Sequence, residues 1–175
     1  MKSLYFERIN YDDFYISNIN NTSLFYGEAD FNDICKIIKK YKTNQMNMLD
    51  VGSGCGKIVI SCCLNLDLYV DGIEIDENRY KKSELLLEKY NFYDRINFIC
   101  DNFSNLYFGN YDIIYCCNLI FEDNDNDMLY KKINKEFSGL FILFQFNNLL
   151  LPYFVKEEYI NCSWSKNVVV YIFFK

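Results

Sequence analysis

In the stretch LDVGSGCGK, glycines at 52, 54 and 56 alternate through what reads as a strand-to-helix turn, and Asp50 stands just ahead of them. Such a turn leaves bare backbone against which a ligand can lie. The spacing is G-x-G-x-G, which departs from the G-x-G-x-x-G of dinucleotide binders. A carboxylate at position 50 would repel a pyrophosphate but suits an amino group or another positive charge. Two more acids end apolar runs further along: Glu74 in GIEID and Asp101 after INFIC. Glu74 is placed to accept both hydroxyls of a ribose, and Asp101 to meet an adenine amino group. In chain order, these groups suit a nucleoside carrying a cationic tail.

The composition removes several alternatives. There is no histidine, so Ser–His and Cys–His nucleophilic machinery and imidazole metal ligation are excluded. Eight cysteines occur, none in a C-x-x-C pair and several inside apolar runs such as IYCCNLI; they read as buried, reduced thiols, and no metal site is expected. A net charge of −6 argues against non-specific nucleic-acid binding, so weak binding at most is expected. Lysines at 36, 39, 40 and 42, and at 131, 132 and 135, read as solvated helix faces. The N-terminus lacks a signal-peptide core and no apolar run is long enough to span a membrane, so a soluble intracellular protein without membrane contact is expected. Heavy use of Asn, Ile, Lys and Tyr points to an AT-rich genome, such as that of a large DNA virus or a protist.

These groups need a scaffold, and the periodicity of the 175 residues supplies one. Phe31, Ile34, Cys35, Ile38 and Tyr41 recur at helical spacing over 30–41. MNMLDV is a strand, the glycine turn follows, and a helix runs from Lys57 to about Leu64. LYVDGIEI is a second strand. Asp76 N-caps a helix that places Tyr80, Ser83, Leu87 and Tyr90 on one face. RINFIC and YDIIYCC are the third and fourth strands. EDNDND opens a helix carrying Met128, Leu129, Ile133 and Phe137, with Gly139 as its stop. LFILFQF is a buried fifth strand, and two strands near 158–164 and 168–174 form an antiparallel hairpin. Strands alternating with helices predict an α/β fold, a doubly wound Rossmann-like sheet of seven strands ending in that hairpin. Ligands in such sheets bind beyond the carboxyl ends of the strands.

The glycine turn with Asp50, Glu74 and Asp101 resembles class I S-adenosylmethionine-dependent methyltransferases. Three further stretches resemble the disruptor-of-telomeric-silencing (Dot-one-like) family of non-SET histone-lysine methyltransferases. They are YGE before the first helix, CCNLIF after the fourth strand, and SWSKNVVVY, where Tyr171 follows Trp164 by seven residues. The resemblance covers about 26–171 and implies residues 1–25 as an N-terminal segment and 26–175 as the methyltransferase domain. It implies S-adenosyl-L-methionine as cofactor and S-adenosyl-L-homocysteine as product. Tyr26, Gly27, Glu28 and Ala29 would fold over the methionine end. Asp50, Val51, Gly52, Ser53, Gly54 and Lys57 would line the first turn, Glu74 the ribose, and Asp101, Asn102 and Phe103 the adenine, with Cys117 near the reacting end. Trp164, Tyr171 and Asn118 would wall a lysine channel and form the catalytic set.

The chain departs from the family at Cys117, where the family has a first asparagine, at Ala29 for Thr and at Lys57 for Gln. The implied activity is methylation of a lysine of histone H-three in nucleosomes by a monomeric enzyme, in the nucleus or at a viral replication site in the cytoplasm. The chain as read carries no Lys-rich flank, so nucleosome contact would fall to Lys36–Lys42 or to Lys2 and Arg8. The alternatives are a non-histone protein-lysine methyltransferase and a non-catalytic cofactor-binding module, the latter favoured by Cys117.

Overall fold

The computed structural model describes residues 29–41, 46–91, 94–150 and 153–175. Helix α1 (Phe31–Tyr41) starts at Asp30, whose Oδ1 accepts from Asn32 N–H at 2.8 Å and from Asp33 N–H at 3.2 Å. Its buried face is Ile34, Cys35, Ile37 and Ile38. Strand β1 (Asn47–Val51) leads through the glycine turn into α2 (Lys57–Leu66). Strand β2 (Tyr69–Glu74) precedes α3 (Glu77–Tyr90), whose N-cap Asp76 accepts from Arg79 N–H at 2.9 Å. Then come β3 (Ile96–Cys100), β4 (Ile113–Cys116), α4 (Asp123–Glu136), β5 (Leu140–Leu143), β6 (Phe154–Ile160) and β7 (Val168–Phe174).

The seven strands form one sheet in the order β3-β2-β1-β4-β5-β7-β6. The first five are mutually parallel, and β7 runs antiparallel to both β5 and β6. This is the predicted α/β sheet with its closing hairpin. The order reverses at β1, with β2 on one side and β4 on the other, so a crevice opens beyond the carboxyl ends of these strands.

Alternation along each strand divides the core in two. Met48, Ile113, Tyr115, Ile142, Val170 and Ile172 face α1, α2 and α3. Leu49, Val51, Ile114, Cys116, Phe141 and Phe173 face α4, which contributes Leu129, Tyr130 and Ile133. On that side Phe141 and Phe173 stack at 4.7 Å and 1°, a pair of the kind that adds about 0.5–1.5 kcal/mol beyond area burial. Five cysteines are buried, Cys117 and Cys162 are half-buried, Cys100 is exposed, and all eight are free thiols. No helix among the described residues is long and apolar enough to cross a membrane.

Three local expectations are corrected. Helix α4 ends at Glu136 with Phe137 as its C-cap in extended conformation, so Gly139 is not the stop. Gly139 is small for another reason: a Cβ there would come within 2.4 Å of the Asp112 carbonyl oxygen. Met128 faces outward, leaving Asn126 to join Leu129, Tyr130 and Ile133 on the buried face. Strand β6 lies earlier than expected, which leaves Ser163 and Trp164 in the connection to β7. That connection is held by an antiparallel bridge between Ala29 and Cys162 and by Cys162 N–H donating to Ser165 O at 2.8 Å.

Candidate functional site

The turn after β1 is a folded cradle. Gly52, Gly54 and Gly56 have φ of 78°, 57° and 84°, values that L side chains rarely adopt. The amides of Gly52 and Ser53 both donate to Ile73 O, at 2.8 and 3.0 Å, binding the turn to the end of β2. At Gly56, the N-cap of α2, a Cβ would meet the Phe98 ring at 2.3 Å. That glycine serves packing, whereas Gly52 and Gly54 face an open cavity.

Glu74 completes the cradle. It is buried, its Oε2 accepts from Gly54 N–H at 2.8 Å and its Oε1 from Asp76 N–H at 2.9 Å. The carboxylate is thereby fixed at the carboxyl end of β2. At the end of β3, Asp101 Oδ1 accepts from Asn102 N–H at 2.6 Å and from Asn105 Nδ2 at 2.9 Å. Asn102 in turn caps the short turn Phe103–Asn105 through Ser104 N–H at 2.8 Å. Phe103 lies beneath, stacked on Phe121 at 5.9 Å and 15°.

These groups surround a cavity of about 530 Å³. Of the residues singled out in the sequence, Gly52, Gly54, Glu74, Asp101, Asn102, Phe103, Cys117 and Trp164 line it. Tyr26, Gly27 and Glu28 lie outside the described residues. Ala29 is buried in its bridge to Cys162. Val51 belongs to the α4-side core, and Lys57 is half-buried at the start of α2. Asp50 and Ser53 are buried behind the turn. Burial, and then the nearby Glu74, push the Asp50 carboxyl well above its ordinary range.

Two of the expected channel residues do not reach the cavity. Tyr171 sits on β7 on the same face as Phe173 and packs edge-on against Phe146 at 4.6 Å. Trp164 precedes the strand and packs towards Phe144, on the opposite side of the sheet, so the seven-residue spacing does not bring the two rings together. Asn118 is wholly buried. Its Oδ1 accepts from Phe144 N–H at 3.0 Å and Gln145 N–H at 3.1 Å, while its Nδ2 donates to Asn126 Oδ1 at 2.7 Å and Gln145 O at 3.0 Å. Gln145 Nε2 returns a bond to Asn118 O at 2.8 Å. With both ends of its amide engaged, Asn118 ties the exit of β4 to the exit of β5.

The lining also includes residues given no role from the sequence: Ile73, Ile75, Arg79, Ser163, and the run Leu119, Ile120, Phe121, Glu122 with Asp125. The stretch LIFEDND carried the signal but reads by itself as a helix start. Burial pushes the Cys117 thiol up to about 12 and the Cys162 thiol to about 11, which leaves both as neutral surface rather than nucleophiles. Among the described lining residues, four acids, Glu74, Asp101, Glu122 and Asp125, stand with one cation, Arg79. The cavity therefore favours a ligand with positive charge.

No protein-family model matches the sequence, and no curated protein matches it. Solved structures do match the fold. A protein of Methanococcus maripaludis assigned as an S-adenosyl-L-methionine-dependent methyltransferase superposes with a TM-score of 0.66 at 14% identity, over 83% of this chain and 84% of that one. An RNA methyltransferase of Salinibacter ruber in complex with S-adenosyl-L-homocysteine gives 0.54 at 18% identity, over 62% and 71%. A geranyl diphosphate C-methyltransferase of Streptomyces coelicolor, also in complex with S-adenosyl-L-homocysteine, gives 0.54 at 12% identity, over 64% and 45%. The chain has the Rossmann-like class I methyltransferase fold.

Proposed function

We propose that the chain is an S-adenosyl-L-methionine-dependent methyltransferase whose acceptor is an amine, in the first instance a protein lysine. The observation that carries this reading is the cavity itself. It runs from the glycine cradle, past a fixed carboxylate at Glu74, to Asp101, Asn102 and Phe103. The exposed backbone of Gly52, with Gly54 lining the wall behind it, suits the amino-acid tail of the cofactor, Glu74 its ribose, and the third-strand end its adenine. The donor and acceptor set thus fits the group. When bound, the cofactor supplies an electrophilic methyl on a sulfonium, so the protein's task is placement.

The chain's own residues divide that task. Gly54 N–H and Asp76 N–H each hold one oxygen of the Glu74 carboxylate at the cavity wall. The four lining carboxylates attract an ammonium to the cavity. An amine must shed its proton before its nitrogen can attack, and its ordinary pKa is about 10.4. Cys117, Leu119, Ile120 and Trp164 offer neutral surface that favours the uncharged amine by desolvation.

Histone H-three in nucleosomes is the acceptor that the resemblance in YGE, CCNLIF and SWSKNVVVY suggests. A non-histone protein lysine is the second reading, favoured by the position of Tyr171 away from the cavity. Radiolabel transfer from S-adenosyl-L-methionine onto nucleosomes, free histones and a cell lysate separates the two. Label on nucleosomal H-three supports the first, label on lysate proteins alone supports the second, and label on nothing contradicts both.

A further inference from the structure

The cavity mouth is unusually apolar for a protein surface. Ile75, Leu119, Ile120 and Trp164 are 66%, 40%, 55% and 44% exposed, yet all four border one opening. Isolated exposed apolar residues need no explanation, but a group rimming a single cavity does. They come from three separate parts of the chain: the end of β2, the turn Asn118–Ile120, and the β6–β7 connection. No single element's packing accounts for their convergence.

Acids flank the rim on one side. Glu122 and Asp125 line the cavity, and Asp123 starts the same helix. Acids in a first helical turn favour the helix dipole, which accounts for their presence on α4. It does not account for Glu122 and Asp125 bordering the apolar opening. Among the described residues, none of these three carboxylates makes an ion pair with a lysine or arginine. Arg79, the one cation among the described lining residues, is buried.

From this juxtaposition we infer that the cavity mouth is a docking groove for a basic polypeptide segment carrying an apolar side chain beside its lysine. The apolar neighbour packs on Leu119, Ile120 and Trp164, and flanking cations meet Glu122 and Asp125. The charge of the groove decides between macromolecules, because four lining carboxylates repel a phosphate backbone and attract a cationic chain. The inference takes its lysine acceptor from the methyltransferase reading, but docking itself requires no methyl transfer.

Trp164 is the protein's one tryptophan and lies on the rim, so its fluorescence reports occupancy directly. The full chain is titrated with a short peptide of lysine, arginine and leucine. Parallel titrations use a peptide of equal charge with glycine for leucine, a glutamate–leucine peptide, and oligo-uridine RNA. The lysine–arginine–leucine peptide is expected to change Trp164 emission saturably and to bind about tenfold more tightly than the glycine peptide, about 1.4 kcal/mol. The paired change Glu122→Gln and Asp125→Asn, and separately Ile120→Ser, should each weaken it several-fold, with circular dichroism confirming the fold.

Equal response to the glycine or glutamate peptide overturns the inference. Preferential response to RNA overturns it in favour of a nucleic-acid partner. A blue-shifted Trp164 emission that no probe alters shows the rim already covered by the chain itself, which also overturns it. Calorimetry with S-adenosyl-L-homocysteine on the same sample separates the two claims. Peptide binding without cofactor binding leaves the groove standing and removes the methyltransferase reading.

Discussion

Glu74 reaches across from the end of β2 and accepts the Gly54 amide at 2.8 Å, so one carboxylate both closes the glycine turn and borders the cavity. Its other oxygen takes Asp76 N–H, the backbone of the residue that caps α3. Glu74→Gln retains one acceptor and turns an amino group towards a backbone N–H. Hydrogen bonds to a charged partner contribute about 1.5–3 kcal/mol, so a loss of that order is expected in chemical denaturation. S-adenosyl-L-homocysteine affinity should fall at least about tenfold in calorimetry, since the ribose acceptor and the turn are disturbed together.

Gly52 and Gly56 share a positive φ but differ in surroundings. An alanine Cβ at 56 would enter the Phe98 ring, whereas at 52 it meets Phe121 at an ordinary 3.5 Å. Left-handed backbone alone costs a non-glycine residue about 1–2 kcal/mol. Gly56→Ala should therefore destabilise by clearly more than that, and Gly52→Ala by about that amount. The second variant should instead lose cofactor binding, because its methyl group faces the cavity. Urea denaturation and calorimetry on both variants check this ordering.

Asn118 and Tyr171 should behave as structural residues. Asn118→Ala strips the partner from Phe144 N–H and Gln145 N–H, at about 1–3 kcal/mol for each group left unpaired, and leaves Asn126 Oδ1 with only the long bond from the Tyr130 hydroxyl. At about 2–4 °C per kcal/mol, a melting temperature lower by about 10 °C or more is expected. Tyr171→Ala removes the edge contact with Phe146 and should lower the melting point with little change in methyl transfer per folded molecule. Trp164→Ala should do the reverse, leaving the fold and S-adenosyl-L-homocysteine binding nearly intact while slowing transfer.

Asp50 sets a pH dependence. Its carboxyl is raised by burial and by Glu74, with Cys62, Tyr115, Cys116 and Cys117 the other ionisable groups around it. Below the ordinary carboxylate range it is neutral both folded and unfolded, and the fold bears no penalty. As pH rises through the raised folded value, the unfolded chain ionises more readily and stability is lost. Asp50→Asn should match the wild type near pH 4 and exceed it increasingly towards neutrality, as read by thermal melts across that range.

The parts of the site that were legible in the sequence are those fixed by backbone and strand order. Positive-φ glycines need no distant partner to be recognised, and an acid at a strand end is placed by the strand itself. Glu74, Asp101 and the turn accordingly share one cavity. What could not be read depends on side-chain direction set by remote contacts. Tyr171 points away because of where β7 begins and because Phe146 receives it. Asn118 reads as part of a channel wall until Gln145 closes over it. Leu119, Ile120 and Asp125 become wall residues only once the exit of β4 and the start of α4 are folded beside the glycine turn.

The most direct test of the account is isothermal titration of the full chain with S-adenosyl-L-homocysteine, alongside the Glu74→Gln variant. The account predicts saturable binding at a single site, weakened at least about tenfold by the substitution while the fold persists. Absence of binding to the folded wild-type chain, or equal binding by the variant, would contradict it.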